Sequence, residues 1–293
     1  MNPKLKSDMH QLLWEKAEKT IDQVGREVQV LSDKDALNIA NEYRSKVYNV
    51  YIEALKLGIS PYRYLRNMEI ISLREQLKLA ESRVAVVGAG GLGGQAILLL
   101  ARLGIGHLVV VDHDVFDETN LNRQALCSEK ALGNYKSEEA VAVVASINQG
   151  VEVVPYRMEL ESSNAVEALS GSDVVVDALD NVPDRFVLER ITRKLGIPLV
   201  HGALDGFEGR LMTIFPDDPG FKHLYGEEER GEDKSKSPGA VLGAPAPTPS
   251  LIATLQVMEV LKIILKRGKI FRNIMVHVDL ETGQLNEFAF EEH

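Results

Sequence analysis

Residues 83–95 read RVAVVGAGGLGGQ, an apolar run followed by a cluster of glycines and the start of a helical pattern. Gly88, Gly90 and Gly93 form a G-x-G-x-x-G turn between the predicted strand and helix, the setting in which this motif binds phosphates. Glycines let a phosphate approach the backbone, and the helix N-terminus offers it free N–H groups. The motif predicts a nucleotide site; close packing of strand on helix is the alternative explanation for the glycines.

Asp112 ends the next predicted strand, 24 residues after Gly88. A carboxylate at that position accepts hydrogen bonds from ribose hydroxyls. Together with the glycine turn it indicates a nucleotide whose ribose lies at Asp112. On these two features alone, a dinucleotide such as NAD would be the leading ligand.

Short apolar runs alternate with helical patterns from residue 83 to about residue 200. The predicted strands are 84–87, 108–111, 151–154, 174–176 and 198–200, and the predicted helices are 92–103, 137–148, 165–169 and 184–195. This alternation is typical of an α/β fold with a Rossmann-like, mainly parallel sheet covered on both faces.

The two ends of the chain differ from this central part. The last third predicts an antiparallel extension with strands at 209–215, 274–280 and 285–290, a helix at about 250–265 and a loop over 216–246. Residues 1–60 show no clear strand pattern and predict a helical extension, with one long helix over 33–57.

The composition excludes several classes of protein. The chain has 293 residues, 45% hydrophobic and 26% charged, with a net charge of −10, which is ordinary for a globular protein. Its one cysteine, Cys127, excludes an intramolecular disulfide and a cysteine zinc cluster. We find no secretory signal and no run of about 18 apolar residues, so we expect a cytoplasmic protein without a membrane span. The negative charge argues against binding to nucleic acid.

Polar residues follow the second predicted strand. TNLNRQ, residues 119–124, supplies three amides and Arg123, and Lys136 follows 13 residues after Arg123. The two phosphates of NAD are mostly met by a glycine turn, whereas a triphosphate needs further cations to neutralise its charge. These residues favour a triphosphate; a solvated polar loop is the alternative.

The third motif is VVVDALDNVPDR, residues 174–185, with Asp177 at a strand end and Asp180 three residues later. Ligands bind at this edge of α/β sheets, where a carboxylate can hold Mg²⁺ that bridges phosphates. The alternative for Asp180 is a role as N-cap of the helix that follows.

The motifs occur in the order GxGGxG, VDxD, NLxRQ, lysine and DNxxxR, and the chain thereby resembles the E1-like activating enzymes of the MoeB/ThiF/HesA family. These enzymes adenylate the C-terminal glycine of ubiquitin-like proteins. The resemblance begins near RYLRN, residues 63–67, and includes the later helix with Gln256 and Glu259.

The resemblance implies a division of the chain into parts. A helical N-terminal extension, residues 1–60, would precede an adenylation domain over 61–293. Within that domain, residues of about 83–201 would bind the nucleotide, and residues of about 202–293 would bind the partner protein.

The resemblance also implies roles for individual residues. Those expected to bind ATP are Gly90, Gly91, Gly93, Asp112, Asn120, Arg123, Gln124, Lys136 and Asn181. Those expected to act in catalysis are Arg66, Arg123, Lys136 and Asp180, with Asp180 positioning Mg²⁺. Arg66 would reach the triphosphate of the other subunit in a homodimer.

The implied reaction is acyl adenylation. A carboxylate oxygen of the partner's C-terminal glycine attacks the α-phosphorus of ATP, and pyrophosphate leaves with Mg²⁺. The partner would be a β-grasp sulfur-carrier protein that docks on the smaller sheet and threads its tail beneath the loop over 217–245.

The chain departs from the family pattern in its cysteines. Many relatives carry two CxxC pairs for structural zinc, and some carry a reactive cysteine in the loop over about 217–240; this sequence has neither. We therefore expect no zinc site and no sulfur transfer on this chain. His223 is read as a surface residue and Cys127 as a small hydrophobe.

Three alternatives remain open from the sequence. The glycine turn and Asp112 suit an NAD-dependent oxidoreductase, although hydride transfer has no use for Arg123, Lys136 and Asp180. A related adenylating enzyme could act on another carboxylate or on a tRNA base. The chain could also be a nucleotide-binding scaffold without turnover.

Overall fold

The structure is a computed structural model that describes residues 3–161, 163–226 and 243–290. Its helices are α1 (Pro3–Lys16), α2 (Asp33–Glu42), α3 (Val47–Lys56), α4 (Leu73–Glu81), α5 (Gly91–Leu103), α6 (Lys136–Ile147), α7 (Ala165–Leu169), α8 (Val182–Leu195), α9 (Phe221–Tyr225) and α10 (Pro247–Leu265). Its strands are β1 (Glu18–Ile21), β2 (Glu27–Leu31), β3 (Ser60–Pro61), β4 (Arg83–Val87), β5 (His107–Val111), β6 (Glu152–Tyr156), β7 (Val174–Asp177), β8 (Leu199–Asp205), β9 (Glu208–Ile214), β10 (Ile274–Asp279) and β11 (Gln284–Ala289).

The main sheet has eight strands in the order β11-β10-β9-β8-β7-β4-β5-β6. Strands β4 to β8 pair in parallel, and β9, β10 and β11 continue the sheet with antiparallel pairing. This confirms the prediction of a Rossmann-like, mainly parallel sheet with an antiparallel C-terminal extension.

Strand β4 lies between β5 and β7. The chain continues through β5 and β6 on one side of β4, and then through β7 and β8 on the other side. Val87, the last residue of β4, is level with Val111 of β5 and with Asp177 of β7. The segments that follow these three strands therefore emerge side by side, at the switch point where α/β sheets bind ligands.

Helices cover both faces of this sheet, because the strand residues that point to either face are apolar. Val84 and Val86 of β4 belong to the core formed with α4, α5, α6 and α10. Ala85 and Val87 belong to the opposite core, formed with α7, α8 and α9.

The apolar character of helix α10 was underestimated from the sequence. Among the described residues it is the helix that is long and apolar enough, by length and composition alone, to cross a membrane. Within the fold, 56% of the tested stretch is buried, and α10 packs on α5, β8 and β9. Its apolar composition is accounted for by this central position in the core.

Residues 3–61, which we call the N-terminal module, are only partly helical. The expectation that residues 1–60 contain no strand was wrong: β1, β2 and β3 form a separate three-stranded sheet. The strands were missed because they are short: β1 is mostly polar, and the alternation of Val28 and Val30 in β2 spans only five residues. Lys19 and Glu27 form a cross-strand ion pair of 2.7 Å. Apolar residues of α1, α2 and α3 give the module its own core.

The prediction of a single helix over 33–57 was also wrong, because these residues form two helices, α2 and α3. Helix α2 ends before Arg44, whose φ of 48° is left-handed, and the Ser45 N–H bonds to the Ala40 carbonyl across the turn. A helix end of this kind commonly has glycine at the left-handed position, and no glycine marks this one. The predicted loop over 216–246 contains the short helix α9, and residues 227–242 of that loop lie outside the described residues.

Candidate active site

The glycine turn joins β4 to α5 at the switch point. A Cβ at Gly93 would lie 1.7 Å from the Gly88 carbonyl oxygen, and Gly88, with φ of +92°, faces the Ala178 carbonyl. Close packing therefore accounts for these two glycines. Gly90 and Gly91 are different, because a Cβ on either would find only side chains, at 3.4 Å or more.

Helix α5 begins at Gly91, and its first helical bond runs from the Gly94 N–H to the Gly90 carbonyl. The N–H groups of Gly91, Leu92 and Gly93 precede that bond and point out of the helix end. Free N–H groups at a helix N-terminus suit an anion, and the two glycines leave the approach to them open.

Asp112 follows β5 and connects it to the glycine turn. One carboxylate oxygen accepts the Ala89 N–H at 2.7 Å, and the other accepts the Asp114 N–H at 2.8 Å. Burial raises the pKa of the Asp112 carboxyl, while these two bonds and Lys136 oppose the rise. Each oxygen keeps a second acceptor position, which suits a ribose hydroxyl.

Lys136 is the first residue of α6 and lies near the same strand end. Its side chain is 8% exposed, and its Nζ is 2.9 Å from Oδ2 of the exposed Asp114. Asp114 is thus the resting partner of the predicted phosphate-binding lysine. A phosphate that displaced the Asp114 carboxylate would form an ion pair with Lys136 in its place.

Arg123 is brought to the glycine turn. Its Cγ would lie 3.9 Å from a Cβ at Gly91, and its Nη1 donates to the Thr119 carbonyl and to Asn122 Oδ1, both at 2.9 Å. Among the described residues, none of these partners is a carboxylate, so its positive charge is available to an anion.

Two amides predicted from the same motif are buried. Asn120 Oδ1 accepts the Asp117 N–H at 3.2 Å and so stabilises the turn that carries Arg123. Gln124 faces Gly90, and its buried Oε1 has no hydrogen-bond partner among the described residues. An unpaired buried acceptor costs stability, so Gln124 Oε1 is suited to a ligand group that donates a hydrogen bond, such as a hydroxyl or an amino group of a nucleotide, and not to a phosphate oxygen.

Asp180 and Asn181 follow β7 and have different roles. Asn181 is the N-cap of α8: its Oδ1 accepts the Asp184 N–H at 3.0 Å. Asp180 is exposed, and its Oδ1 accepts from Asn181 Nδ2 at 3.2 Å. The helix-cap explanation for Asp180 is therefore excluded, and Asn181 has a structural role of its own.

Arg66 is not brought to this site. It lies on a 3₁₀ turn, Tyr62–Asn67, with its side chain exposed. Within the described part of this chain, no hydrogen bond or ion pair links Arg66 to any other residue of the predicted site.

A buried polar cluster beside Asp180 was not predicted, and we call it the Asp177 network: Asp177, Arg185, His201 and Tyr225. Asp177 Oδ2 is 2.7 Å from His201 Nδ1, and His201 Nε2 is 3.1 Å from the Tyr225 hydroxyl. Arg185 donates to that hydroxyl at 2.9 Å and to the Leu179 carbonyl at 2.6 Å. Burial lowers the pKa of His201. Arg185, the arginine of the DNxxxR motif, was the signal in the sequence that could have indicated this network.

Cys127 and His223 match their sequence-based interpretations. Burial, with Asp117, raises the pKa of the Cys127 thiol, which opposes formation of a nucleophilic thiolate. His223 is exposed, and its ring packs against Phe290 with centroids 5.5 Å apart.

The fold and this site define a nucleotide-binding α/β enzyme whose cations suit a chain of phosphates. The chain belongs to the ThiF family, whose model matches residues 63–293. The N-terminal module, residues 3–61, thus lies wholly outside the matched residues.

Relatives with assigned names agree with this class. The chain is 42% identical over 210 residues to the SAMP-activating enzyme E1 of Haloferax volcanii, covering 71% of this chain and 77% of that protein. It is 38% identical over 217 residues to the adenylyltransferase and sulfurtransferase MOCS3 of Arabidopsis thaliana, covering 71% of this chain but only 46% of that protein.

Solved structures show the same fold at low identity. PaaA superposes with a TM-score of 0.64 at 19% identity, over 95% of this chain and 100% of that one. E. coli MccB crystallised with ATP superposes with a TM-score of 0.67 at 20% identity, over 89% of this chain and 80% of that one. Family and relatives together make this chain an E1-like adenylyltransferase.

Proposed function

We propose that this chain uses ATP to adenylate the C-terminal glycine carboxylate of a ubiquitin-like sulfur-carrier protein, with release of pyrophosphate. The observation that carries the proposal is the convergence of four features at one sheet edge. These are the free N–H groups of α5, the Asp112 carboxylate, the unpaired amide oxygen of Gln124 and the cations Arg123 and Lys136.

The names of the relatives support the choice of partner. One relative activates SAMP, and others are adenylyltransferases of molybdopterin synthase or of the MOCS3 type. MOCS3 is also named a sulfurtransferase, but this chain spans less than half of it. The proposal for this chain is therefore limited to adenylation.

The residues fit ATP in the following arrangement. Asp112 holds the ribose through the acceptor positions that Ala89 and Asp114 leave open. The phosphates lie on the N-terminus of α5, where a Cβ at Gly90 or Gly91 would obstruct them. Arg123 and Lys136 neutralise the outer phosphates, and Lys136 exchanges its bond to Asp114 for one to phosphate.

Asp180 is the residue that would hold Mg²⁺. Its carboxylate is exposed and is bonded to an amide rather than to a cation, and Mg²⁺ is commonly held by one or two carboxylates together with phosphates. When bound, Mg²⁺ supplies neutralisation of the charge that develops on the departing pyrophosphate.

The reaction requires alignment rather than an enzyme nucleophile. A carboxylate oxygen of the carrier forms a bond to the α-phosphorus, the bond from that phosphorus to the bridging oxygen breaks, and pyrophosphate takes the electron pair. Arg123 and Lys136 act on that leaving charge, which grows in the transition state. The raised pKa of Cys127 agrees with a step that uses no thiolate.

The proposal includes a homodimer. Arg66 is an exposed cation that forms no hydrogen bond or ion pair with its own site within the described residues, and the resemblance assigns it to the triphosphate of a second copy. The carrier would bind over residues 202–293, where β11 is an exposed edge strand with Leu285 and Phe288 about half exposed.

The proposal is tested by exchange of labelled pyrophosphate into ATP, with purified carriers as substrates. We expect exchange that depends on the carrier and that disappears when its C-terminal glycine is deleted. Asp180→Asn should lower the exchange rate about 10²-fold, the usual cost of one charge-stabilising group. Exchange that is unaffected by removal of the carrier's C-terminal glycine would contradict the proposal.

A further inference from the structure

The turn that carries Arg66 is anchored just before that residue by Tyr64, which is buried and whose hydroxyl accepts from Asn148 Nδ2 at 2.7 Å. It is a six-residue 3₁₀ helix between β3 and α4, and isolated 3₁₀ turns are marginal because of their poor hydrogen-bond geometry. An exposed arginine on such a turn would sample many positions. The surrounding contacts therefore decide how well its location is defined.

The N-terminal module holds the start of this turn. Strand β3 pairs with β2, with Ser60 beside Val30. Arg63 forms an ion pair with Asp33, the first residue of α2, and also donates to the Ile147 carbonyl at 2.7 Å. The Arg63 guanidinium lowers the pKa of Asp33. Arg63 thus ties the turn to the module on one side and to α6 of the main domain on the other.

The β1–β2 hairpin holds the turn at Leu65 and the segment just after the turn at Glu69. Gln23 Nε2 donates to the Leu65 carbonyl at 3.0 Å, and Arg26 forms an ion pair with Glu69. Arg26 is itself fixed by Asp22, whose Oδ2 accepts its Nε at 2.7 Å. The contacts at residues 65 and 69 bracket Arg66.

We propose that the β1–β2 hairpin positions Arg66, so that the N-terminal module acts in the reaction by presenting this arginine to the nucleotide of a second copy of the chain. The inference rests on the proposed function. Gln23 and Arg26 are positioning residues that act through Arg66 without touching ATP.

Exposed apolar side chains surround the same turn and agree with coverage by a second copy. Val24 of the hairpin is 57% exposed, Tyr62 is 53% exposed and Ile70 is 72% exposed. Arg66 lies among them as the cation that has no partner within the described part of its own chain.

The test is a double-mutant cycle on the Kd of Mg·ATP, measured on the full chain without carrier. Arg66→Ala should weaken binding about tenfold, as expected for loss of a charge-assisted bond to phosphate. Gln23→Ala with Arg26→Ala should weaken it about three- to fivefold. The triple variant should bind no more weakly than Arg66→Ala alone, because both changes remove the same contact.

Matched controls separate positioning from general damage. Lys19→Ala with Glu27→Ala removes an ion pair from the same hairpin, away from Arg66, and should leave the Kd unchanged. Gln23→Ala alone, at an exposed side chain, gives a mild variant that should still show a weakened Kd. Independent effects that multiply in the triple variant would overturn the inference while leaving ATP binding, and hence the proposed function, intact.

Mixed dimers test whether the effect passes between subunits. A Lys136→Ala subunit has a defective site and an intact hairpin, so pairing it with a Gln23→Ala/Arg26→Ala subunit should restore one normal site per dimer. Failure of that restoration would also overturn the inference. Absence of any Mg·ATP binding by the unmodified protein would overturn the inference and the proposed function together.

Discussion

Asp112 follows β5 and Asp177 ends β7, the two strands that flank β4, yet their carboxylates have different surroundings. Asp112 is partly exposed and bonds to two backbone N–H groups, with acceptor positions left open. Asp177 is fully buried, and its carboxylate is bonded to His201 within the Asp177 network. Both Asp177 oxygens are bonded, one to His201 and the other to the Leu179 N–H, although Arg185 Nε beside them has no hydrogen-bond partner among the described residues. Open acceptor positions on a partly exposed carboxylate, and not position near a strand end, distinguish Asp112 from Asp177.

The largest effect is expected on the network side. Asp177→Ala would leave buried His201 and Arg185 without their carboxylate, and removal of one partner of a buried pair costs about 3 kcal/mol or more. We expect that loss in the free energy of unfolding, measured by urea denaturation. The folded protein should still bind Mg·ATP. A loss below about 1 kcal/mol would show that the network is not a stabilising unit.

On the glycine-turn side, the largest effect should appear in catalysis. Lys136→Ala should lower the rate of carrier-dependent pyrophosphate exchange about 10²-fold, because it removes a cation from the leaving group. Its free energy of unfolding should change by less than about 1 kcal/mol, since Asp114, its partner, is exposed. A full exchange rate in this variant would remove Lys136 from the site.

Asp112→Asn should weaken Mg·ATP binding about tenfold, the usual value of a hydrogen bond to a charged group. Isothermal titration measures this directly. The matched variant Asp177→Asn should leave the affinity of the folded protein unchanged. Equal losses of affinity in the two variants would contradict the distinction between the two carboxylates.

Two glutamines whose buried Oε1 atoms both lack a partner among the described residues differ in the bonds of their Nε2 groups. Gln256 Nε2 donates to the Asp177 and Val200 carbonyls at 2.8 and 3.1 Å, so Gln256→Met should cost about 1–2 kcal/mol of stability. Gln124→Met removes an unpaired oxygen and should cost no stability, but should weaken Mg·ATP binding about threefold. Thermal unfolding with and without Mg·ATP measures both effects.

The smallest effect is expected at Cys127. Cys127→Ser should change the exchange rate by less than about twofold, because a thiol with a raised pKa does not act as a nucleophile. Loss of exchange with the fold intact, judged by circular dichroism, would assign this thiol to the reaction.

Much of the central fold was predictable, because buried parallel strands have continuous apolar sequences and the glycine turn marks the first of them. The motifs also identified Asp112, Arg123 and Lys136, whose side chains the structure brings near the turn. Asp114 as the partner of Lys136 was not predictable, because the ion pair depends on how two loops fold together. The Asp177 network joins three distant segments, and a single histidine in a strand carries no periodic signal.

The N-terminal module shows the opposite case. Its strands are short, so the hydrophobic alternation of β2 covers too few residues to reveal a sheet, and the helix break at Arg44 lacks the usual glycine. Its contacts with the Arg66 turn run through single side chains, Gln23, Arg26 and Asp33. Such contacts are determined by tertiary packing and leave no motif in the sequence.

The most direct test of the ATP site compares thermal unfolding with Mg·ATP and with NAD, for the unmodified protein and for Asp112→Asn. A ligand at about 100 times its Kd adds roughly 2.7 kcal/mol of stability, which raises the Tm of a chain of this length by about 5 °C. We predict that rise with Mg·ATP alone, and a smaller one in Asp112→Asn. A rise with NAD alone, or none with Mg·ATP, would contradict the assignment of this sheet edge to ATP.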